Sequence, residues 1–512
     1  MPSEAQSRAV ALRSPKTGAV RPRGATSAPA ARPFRFVLFV DGCVLLILSA
    51  SMAVPLVVDV AMNDSEWRSF AVALAITAYV GGALALSSHG YRAAIDRRVG
   101  YALTLSAWLL VILFGSLPFI FSPVAATVTD AVFETASGLT TTGSTVFVGL
   151  DTMPHGILLW RSMLQWLGGA GIVVTAILLL PILGVGGMQL FRAESSDISD
   201  KPLPRLSQIA RTILATYAVL TAVCAFAYGL AGMSAFDAIN HAMATISTGG
   251  FSTRDASIGA YDSVAIECVG IVFMTAGALP LMWWARLAVE RRGMILQDRQ
   301  VPAFLAILAA AVAMVTAWNV SSGDMGFWQA LRLSAFNVAS VLSDTGFANA
   351  DFSAWGSFAV GVFFVLMLIG GCAGSTAGGI KVFRWHILFA GVSRQFKRTL
   401  SPHRILTTRY GERLVEEQMI ESVRNFFFLY IVTILALSLA VMATGLDFLS
   451  STSAVVQAMA NVGPGLGPVV GPAGNFASVA AEAKWMLVLA MLLGRLELTT
   501  VYVMLFVAYW RR

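Results

Sequence analysis

The chain has 512 residues, 57% of them hydrophobic and only 12% charged, with a formal net charge of +7. An ordinary soluble domain carries about twice that share of charge, so this composition excludes one. It fits a polytopic membrane protein surrounded by lipid, whose Lys and Arg read as topology signals rather than a nucleic-acid surface.

Residues 1–33 are rich in Ala, Pro, Ser and Arg and cannot bury a core, which predicts a disordered cytoplasmic tail. Ten full spans follow, at 36–58, 69–88, 102–121, 157–185, 209–231, 262–287, 302–320, 357–390 (interrupted), 423–444 and 485–510. The first follows basic residues as a signal peptide would, but its length and the second span close behind make it a retained helix. Shorter apolar stretches at 129–141, 236–247, 329–343 and 449–461 separate the later spans in pairs. They are too short to cross a bilayer and suit re-entrant half-helices. The chain thus divides into a two-helix extension, 34–100, and pore repeats at 101–200, 201–300, 301–420 and 421–512.

Positive charge tests this layout. Arg21, Arg23, Arg32 and Arg35, then Arg92, Arg97 and Arg98, then the run from Lys381 to Arg413 and the final Arg511-Arg512 all fall on one side, assigned as cytoplasmic. The other side, with Asp64, Glu66, Asp151 and Asp255, is acidic enough to concentrate cations.

Each half-helix ends in a glycine-bearing loop on that acidic side. Aligned on the glycines, the loops read Thr140-Thr141-Thr142-Gly143, Ile246-Ser247-Thr248-Gly249, Ser343-Asp344-Thr345-Gly346 and Ala460-Asn461-Val462-Gly463. One such loop is an ordinary helix C-cap. Four at matched positions suggest a filter whose carbonyls replace the water around a cation, with glycine permitting the backbone angles. Glu134, Asn240 and Asn337 stand nine positions before their glycines, with Ala454 fourth. They are expected to brace the half-helices against the filter backbone, Glu134 alternatively lying at the vestibule.

The eighth span is broken by Gly370-Gly371-Cys372-Ala373-Gly374-Ser375-Thr376-Ala377-Gly378-Gly379. Unwound backbone at membrane depth is tolerated only where it is buried in protein or lines water, so this is a gate loop or a kink at a helix contact. Arg495, inside the last predicted span, faces the pore or pairs with a carboxylate. Glu497, two residues on, points to nearly the opposite face. Lys381 either snorkels to the interface or adds to the same barrier. The four cysteines form no CxxC pair, the histidines no ligand set, and no phosphate-binding loop is visible, so no enzyme is expected.

Several longer motifs carry a family resemblance: Ala136–Gly143, Trp160–Gly169, Gln189–Glu194, Ser247–Thr253, Gly370–Lys381, Asn461–Pro468 and Leu493–Leu498. Together they resemble the Trk/Ktr/HKT superfamily of potassium transporters, specifically its Trk-type membrane subunit, over about residues 35–512. The resemblance implies an all-α polytopic membrane protein. Its four tandem helix–pore-helix–helix repeats surround a pseudo-fourfold pore, with two extra N-terminal helices. It implies potassium uptake across a bacterial cytoplasmic membrane, both termini cytoplasmic and the filter loops outside. K+ is then held by backbone carbonyls of Thr141, Thr142, Gly143, Ser247, Thr248, Gly249, Asp344, Thr345, Gly346, Asn461, Val462 and Gly463. The gate is Gly370, Gly371, Gly374, Ser375, Thr376, Gly378, Gly379, Lys381 and Arg495. K+ is cargo, and no bound cofactor is implied. A homodimer and a cytosolic nucleotide- or NAD(H)-binding regulatory subunit are implied partners. Gly143, where sodium-preferring members carry serine, favours potassium; Ala377 departs from an expected glycine. H+- or Na+-coupled symport and a K+/Na+ channel without discrimination are the alternatives. Only Glu497 and Asp41 read as deep carboxylates, which leans toward channel-like conduction.

Overall fold

The structure is a computed structural model that describes residues 33–90, 97–178, 202–290, 298–323, 325–403, 408–410 and 413–505. Residues 1–32 of the predicted tail, the Gln189–Glu194 motif and Arg511-Arg512 lie outside these, and Pro33, the last residue assigned to the tail, already begins the first helix. Among the described residues everything regular is helical except a short antiparallel pair, β1 (Arg409–Tyr410) and β2 (Arg413–Leu414).

Helices α1 (Pro33–Met62) and α2 (Trp67–Ser87) form the N-terminal hairpin. Their crossing is tight because glycines meet there: a Cβ on Gly42 would lie 2.6 Å from the Ala85 nitrogen, and one on Gly81 2.9 Å from Leu45 Cβ. Small residues let membrane helices approach where lipid supplies no hydrophobic driving force.

Four units follow, each an outer helix, a buried half-helix and an inner helix. They are α3 (Arg97–Gly115) and α4 (Leu117–Phe121), α5 (Val128–Leu139), α6 (His155–Leu178); then α7 (Pro202–Leu230), α8 (Ala235–Ile246), α9 (Val264–Ala278) and α10 (Leu281–Glu290). The third is α11 (Gln300–Ser321), α12 (Phe327–Leu342), α13 (Ser357–Met367) and α14 (Val382–Leu400). The fourth is α15 (Glu417–Met442), α16 (Phe448–Ala460), α17 (Ala481–Arg495) and α18 (Leu498–Leu505).

The half-helices α5, α8, α12 and α16 have 12, 12, 16 and 13 residues, short of the length needed to cross. Thr127, Ser234 and Asp447 cap three of them by accepting from the N–H of Asp130, Asp237 and Ser450. Their C-terminal ends, the negative ends of the helix dipoles, converge on the glycine loops. Inner helices press against those ends through glycine. A Cβ on Gly168 would fall on the Leu139 carbonyl, one on Gly494 on the Met459 carbonyl, and one on Gly277 3.1 Å from the Ile246 carbonyl.

Polar seams join neighbouring units around the ring. Arg161 Nη1 donates to Ser252 O at 2.8 Å, and Arg332 Nε pairs with Glu267 at 2.6 Å. The Gly467 N–H donates to Ser353 Oγ at 3.3 Å, and Lys484 pairs with Asp130 at 2.7 Å, which joins the fourth unit back to the first.

Two predicted spans are not single helices. The stretch 262–287 bends by 102° between α9 and α10, and 485–510 by 113° between α17 and α18. Pro280 lacks the N–H that would continue α9. Glu497 sits at φ 65°, a left-handed residue that ends a right-handed helix. Arg495 is therefore the last residue of α17, not a mid-helix charge.

Candidate functional site

The four loops share one backbone course. Thr142 N donates to Ser137 O, Gly249 N to Ala244 O, Thr345 N to Ser340 O and Val462 N to Gln457 O, at 2.8 to 3.0 Å. The residue before each of these four is left-handed: Thr141 at φ 55°, Thr248 at 53°, Asp344 at 57° and Asn461 at 60°. The residue after is a left-handed glycine: Gly143 at 88°, Gly250 at 78°, Gly346 at 86° and Gly463 at 111°.

This corrects the register of the second loop. Gly250, not Gly249, stands where Gly143, Gly346 and Gly463 stand, and Ser247 matches Thr140 at the end of its half-helix. The Thr248-Gly249-Gly250 run offers two adjacent glycines, and only backbone geometry separates them. These glycines are also required by close approach. A Cβ on Gly143 would fall on the Gly249 carbonyl, on Gly250 on that of Thr345, and on Gly346 on that of Val462. On Gly463 it would lie 2.8 Å from the Thr142 oxygen, which closes the circle. Gly143, Gly250, Gly346 and Gly463 together line a cavity of about 80 Å³ on the side of the half-helix N-termini.

Buried side chains hold the loops from behind. Glu134 accepts from Val146 N at 2.9 Å and pairs with Arg161 Nε at 2.7 Å, with both side chains 1% exposed or less. Arg161 also packs over the Phe251 ring, 4.2 Å from its centroid. Glu134 thus supports the first loop rather than lining the vestibule.

The shifted register moves the second equivalent from Asn240, which bonds within its own helix to Phe236 O, to His241, whose Nε2 lies 2.9 Å from Ser252 Oγ. In the third repeat, Asn337 donates to Asn349 Oδ1 at 2.6 Å. In the fourth, Ala454 has no polar group. Gln457, one turn on, accepts from Gly463 N at 3.2 Å and Ser144 Oγ at 3.1 Å. Gln165 spans the second loop, donating to Gly249 O at 2.5 Å and accepting from Phe251 N at 3.1 Å. Sequence spacing missed His241, one residue past the expected position, Gln457, one turn past it, and Gln165 on the inner helix of the first unit; the available signal was a polar residue inside an apolar stretch.

Below the loops, on the side of the half-helix C-termini, lies the glycine-rich break between α13 and α14. Gly370 N donates to Ile380 O at 3.0 Å and Val382 N to Gly371 O at 3.2 Å, folding the segment back on itself. Cys372 N donates to Ala278 O at 2.9 Å, and Thr376 Oγ1 to Ile246 O at 2.8 Å, which hold the segment against α8 and the α9–α10 bend. A Cβ on Gly378 would fall on Ala460 O, and one on Gly379 would lie 3.4 Å from Asp344 Oδ1. The segment therefore touches the ends of three loops at once. Ala377 is accommodated because residue 371 is glycine: a Cβ there would lie 2.5 Å from the Ala377 methyl.

Arg495 reaches the segment from the end of α17, its Nη1 donating to Thr376 O at 2.9 Å. Its Nε and Nη2 are buried and have no partner among the described residues. Lys381 Nζ turns back to the Ala377 carbonyl. Glu497 pairs instead with Arg384 at 2.6 Å. Arg384, grouped by sequence with the cytoplasmic charges, is 1% exposed and lies over the Phe426 ring, 4.0 Å from its centroid.

Comparison with known proteins agrees with this architecture. A family model described as "TrkH: Cation transport protein" matches residues 67–510. The Trk system potassium uptake protein TrkI of Halomonas elongata is 39% identical over 477 residues, covering 93% of this chain and 97% of that protein. TrkH of Escherichia coli K12, likewise named a Trk system potassium uptake protein, is 38% identical over 486 residues, with 93% and 99% covered. The crystal structure of the potassium transporter TrkH from Vibrio parahaemolyticus superposes with a TM-score of 0.86 at 34% identity, covering 93% of this chain and all of that one. The chain belongs to the TrkH family of cation transport proteins.

Proposed function

We propose that this protein takes up K+ across the bacterial cytoplasmic membrane through the pathway framed by the four loops. The carrying observation is the ring itself: four loops of one backbone course, each glycine seated on the next loop's carbonyl. Such a ring offers dehydrated cations preorganised oxygens, and the half-helix dipoles place partial negative charge below it. The carbonyls of Thr142, Gly249, Thr345 and Val462 form one tier of the filter, flanked by the left-handed residues Thr141, Thr248, Asp344 and Asn461. Gly143, at the position where serine accompanies sodium preference in the superfamily, supports potassium selectivity.

Residues 370–379 form the gate, held across the exit by Arg495, with Lys381 beside it. The loops face outward, both termini face the cytoplasm, and a homodimer works with a cytosolic nucleotide-binding subunit. The test is flux of K+, Rb+ and Na+ into proteoliposomes, with and without that subunit; equal K+ and Na+ rates would remove the selectivity reading.

One observation favours a second reading. Asp344 is a fully buried carboxylate at the filter that sequence reading did not count among the deep acids, and H+-coupled symport needs such a group. A reversal potential that shifts with pH at fixed K+ would select symport over uniport.

A further inference from the structure

Asp344 occupies the left-handed position of the third loop, where the other loops carry the neutral side chains Thr141, Thr248 and Asn461. A left-handed residue is well served by Asn or Asp, so backbone demand alone does not explain a charge. Asn461 shows what a neutral residue does there: its Nδ2 donates to Met491 O of its own inner helix at 3.2 Å and to Thr142 Oγ1 at 3.0 Å. In the third unit the inner helix is broken, and Asp344 lies against the break, at Gly379. Its side chain is 0% exposed, and the Gly371 N–H of the break lies beside its carboxylate.

Without it two cations beside the break have no counter-charge. Arg384 and Glu497 neutralise each other directly. Lys381 and Arg495 remain, bonded to the Ala377 and Thr376 carbonyls of the same segment that the Asp344 carboxylate meets at Gly379. Two uncompensated cations beneath a cation filter would repel every ion leaving it, and buried charges are poorly screened.

We propose that Asp344 is the counter-charge of the gate: a filter-borne carboxylate that offsets Lys381 and Arg495 and so sets how readily K+ leaves the filter. The inference rests on the K+ uptake reading. It makes Asp344 a positioning residue that acts through the field on Lys381 and Arg495.

Asp344→Asn keeps the left-handed preference and the shape and removes the charge, exchanging one acceptor oxygen for an N–H donor. The experiment measures Rb+ flux and the K+/Na+ ratio for wild type, D344N, R495Q and D344N/R495Q in the same proteoliposome preparation. The expected result is flux about tenfold lower in D344N, an unchanged K+/Na+ ratio, and a much smaller loss when the charge is removed from the R495Q background. Wild-type flux in D344N would overturn the inference, as would an equal loss in both backgrounds. A fall in the K+/Na+ ratio alongside the rate would assign Asp344 to the shape of the filter instead. Absence of K+ flux in the wild type would remove the uptake reading, and this inference with it.

Discussion

The carbonyl oxygen of Gly249 occupies the place where a side chain on Gly143 would begin. The first loop therefore meets two prohibitions at one residue, a left-handed backbone and a neighbour's oxygen. Gly143→Ser should relax K+ over Na+ selectivity, read as the ratio of Rb+ to Na+ flux; retained discrimination would mean that the first repeat does not set it.

The second loop separates its two glycines by the same logic. Gly250→Ala must force a left-handed alanine onto the Thr345 carbonyl, whereas a Cβ on Gly249 first meets a side chain, that of Gln165. Gly250→Ala should abolish K+-dependent growth of an uptake-deficient strain, and Gly249→Ala should impair it less. The reverse order would restore the alignment on Gly249.

Arg495→Ala removes the donor that ties α17 to Thr376 O and deletes a buried positive charge from the exit. K+ flux should rise severalfold in well-folded protein. Unchanged or reduced flux would argue against a barrier.

Glu134→Gln leaves Arg161 buried without its anion. Breaking one side of a buried pair costs roughly 3–5 kcal/mol, so the detergent-solubilised protein should melt well below wild type. Because Arg161 also holds Ser252 O, the loss should extend to the second loop, seen as lower Rb+ flux at temperatures where the protein remains folded.

Asp447 offers a smaller, surface test. The Ser450 hydroxyl and N–H beside its carboxylate hold it below the usual range. A group depressed on folding stabilises above its unfolded pKa, and that contribution fades as pH falls through the folded value. Asp447→Ala should lower the melting temperature at neutral pH, and the difference from wild type should shrink in acid.

Much of the architecture was legible because hydrophobic length and charge placement act over many residues. The four half-helices fall within a few residues of the predicted stretches, and the glycine-rich break lies where five glycines forbid a helix. Single-residue geometry was less legible. The loop register turned on which of two adjacent glycines takes a positive φ, and the end of α17 on a left-handed Glu497 inside an apolar run. Arg384 looked like a topology charge because its partner, Glu497, lies 113 positions away in sequence.

The Lys484–Asp130 pair bears on biosynthesis. Its two members are 354 residues apart in the chain, so Asp130 enters the membrane long before its cation has been synthesised. During insertion the first half-helix must either wait at the water interface or be sheltered by the α1–α2 hairpin and the helices beside it. The ring of four loops cannot close until the fourth, with Gly463, has been made and meets Thr142 of the first.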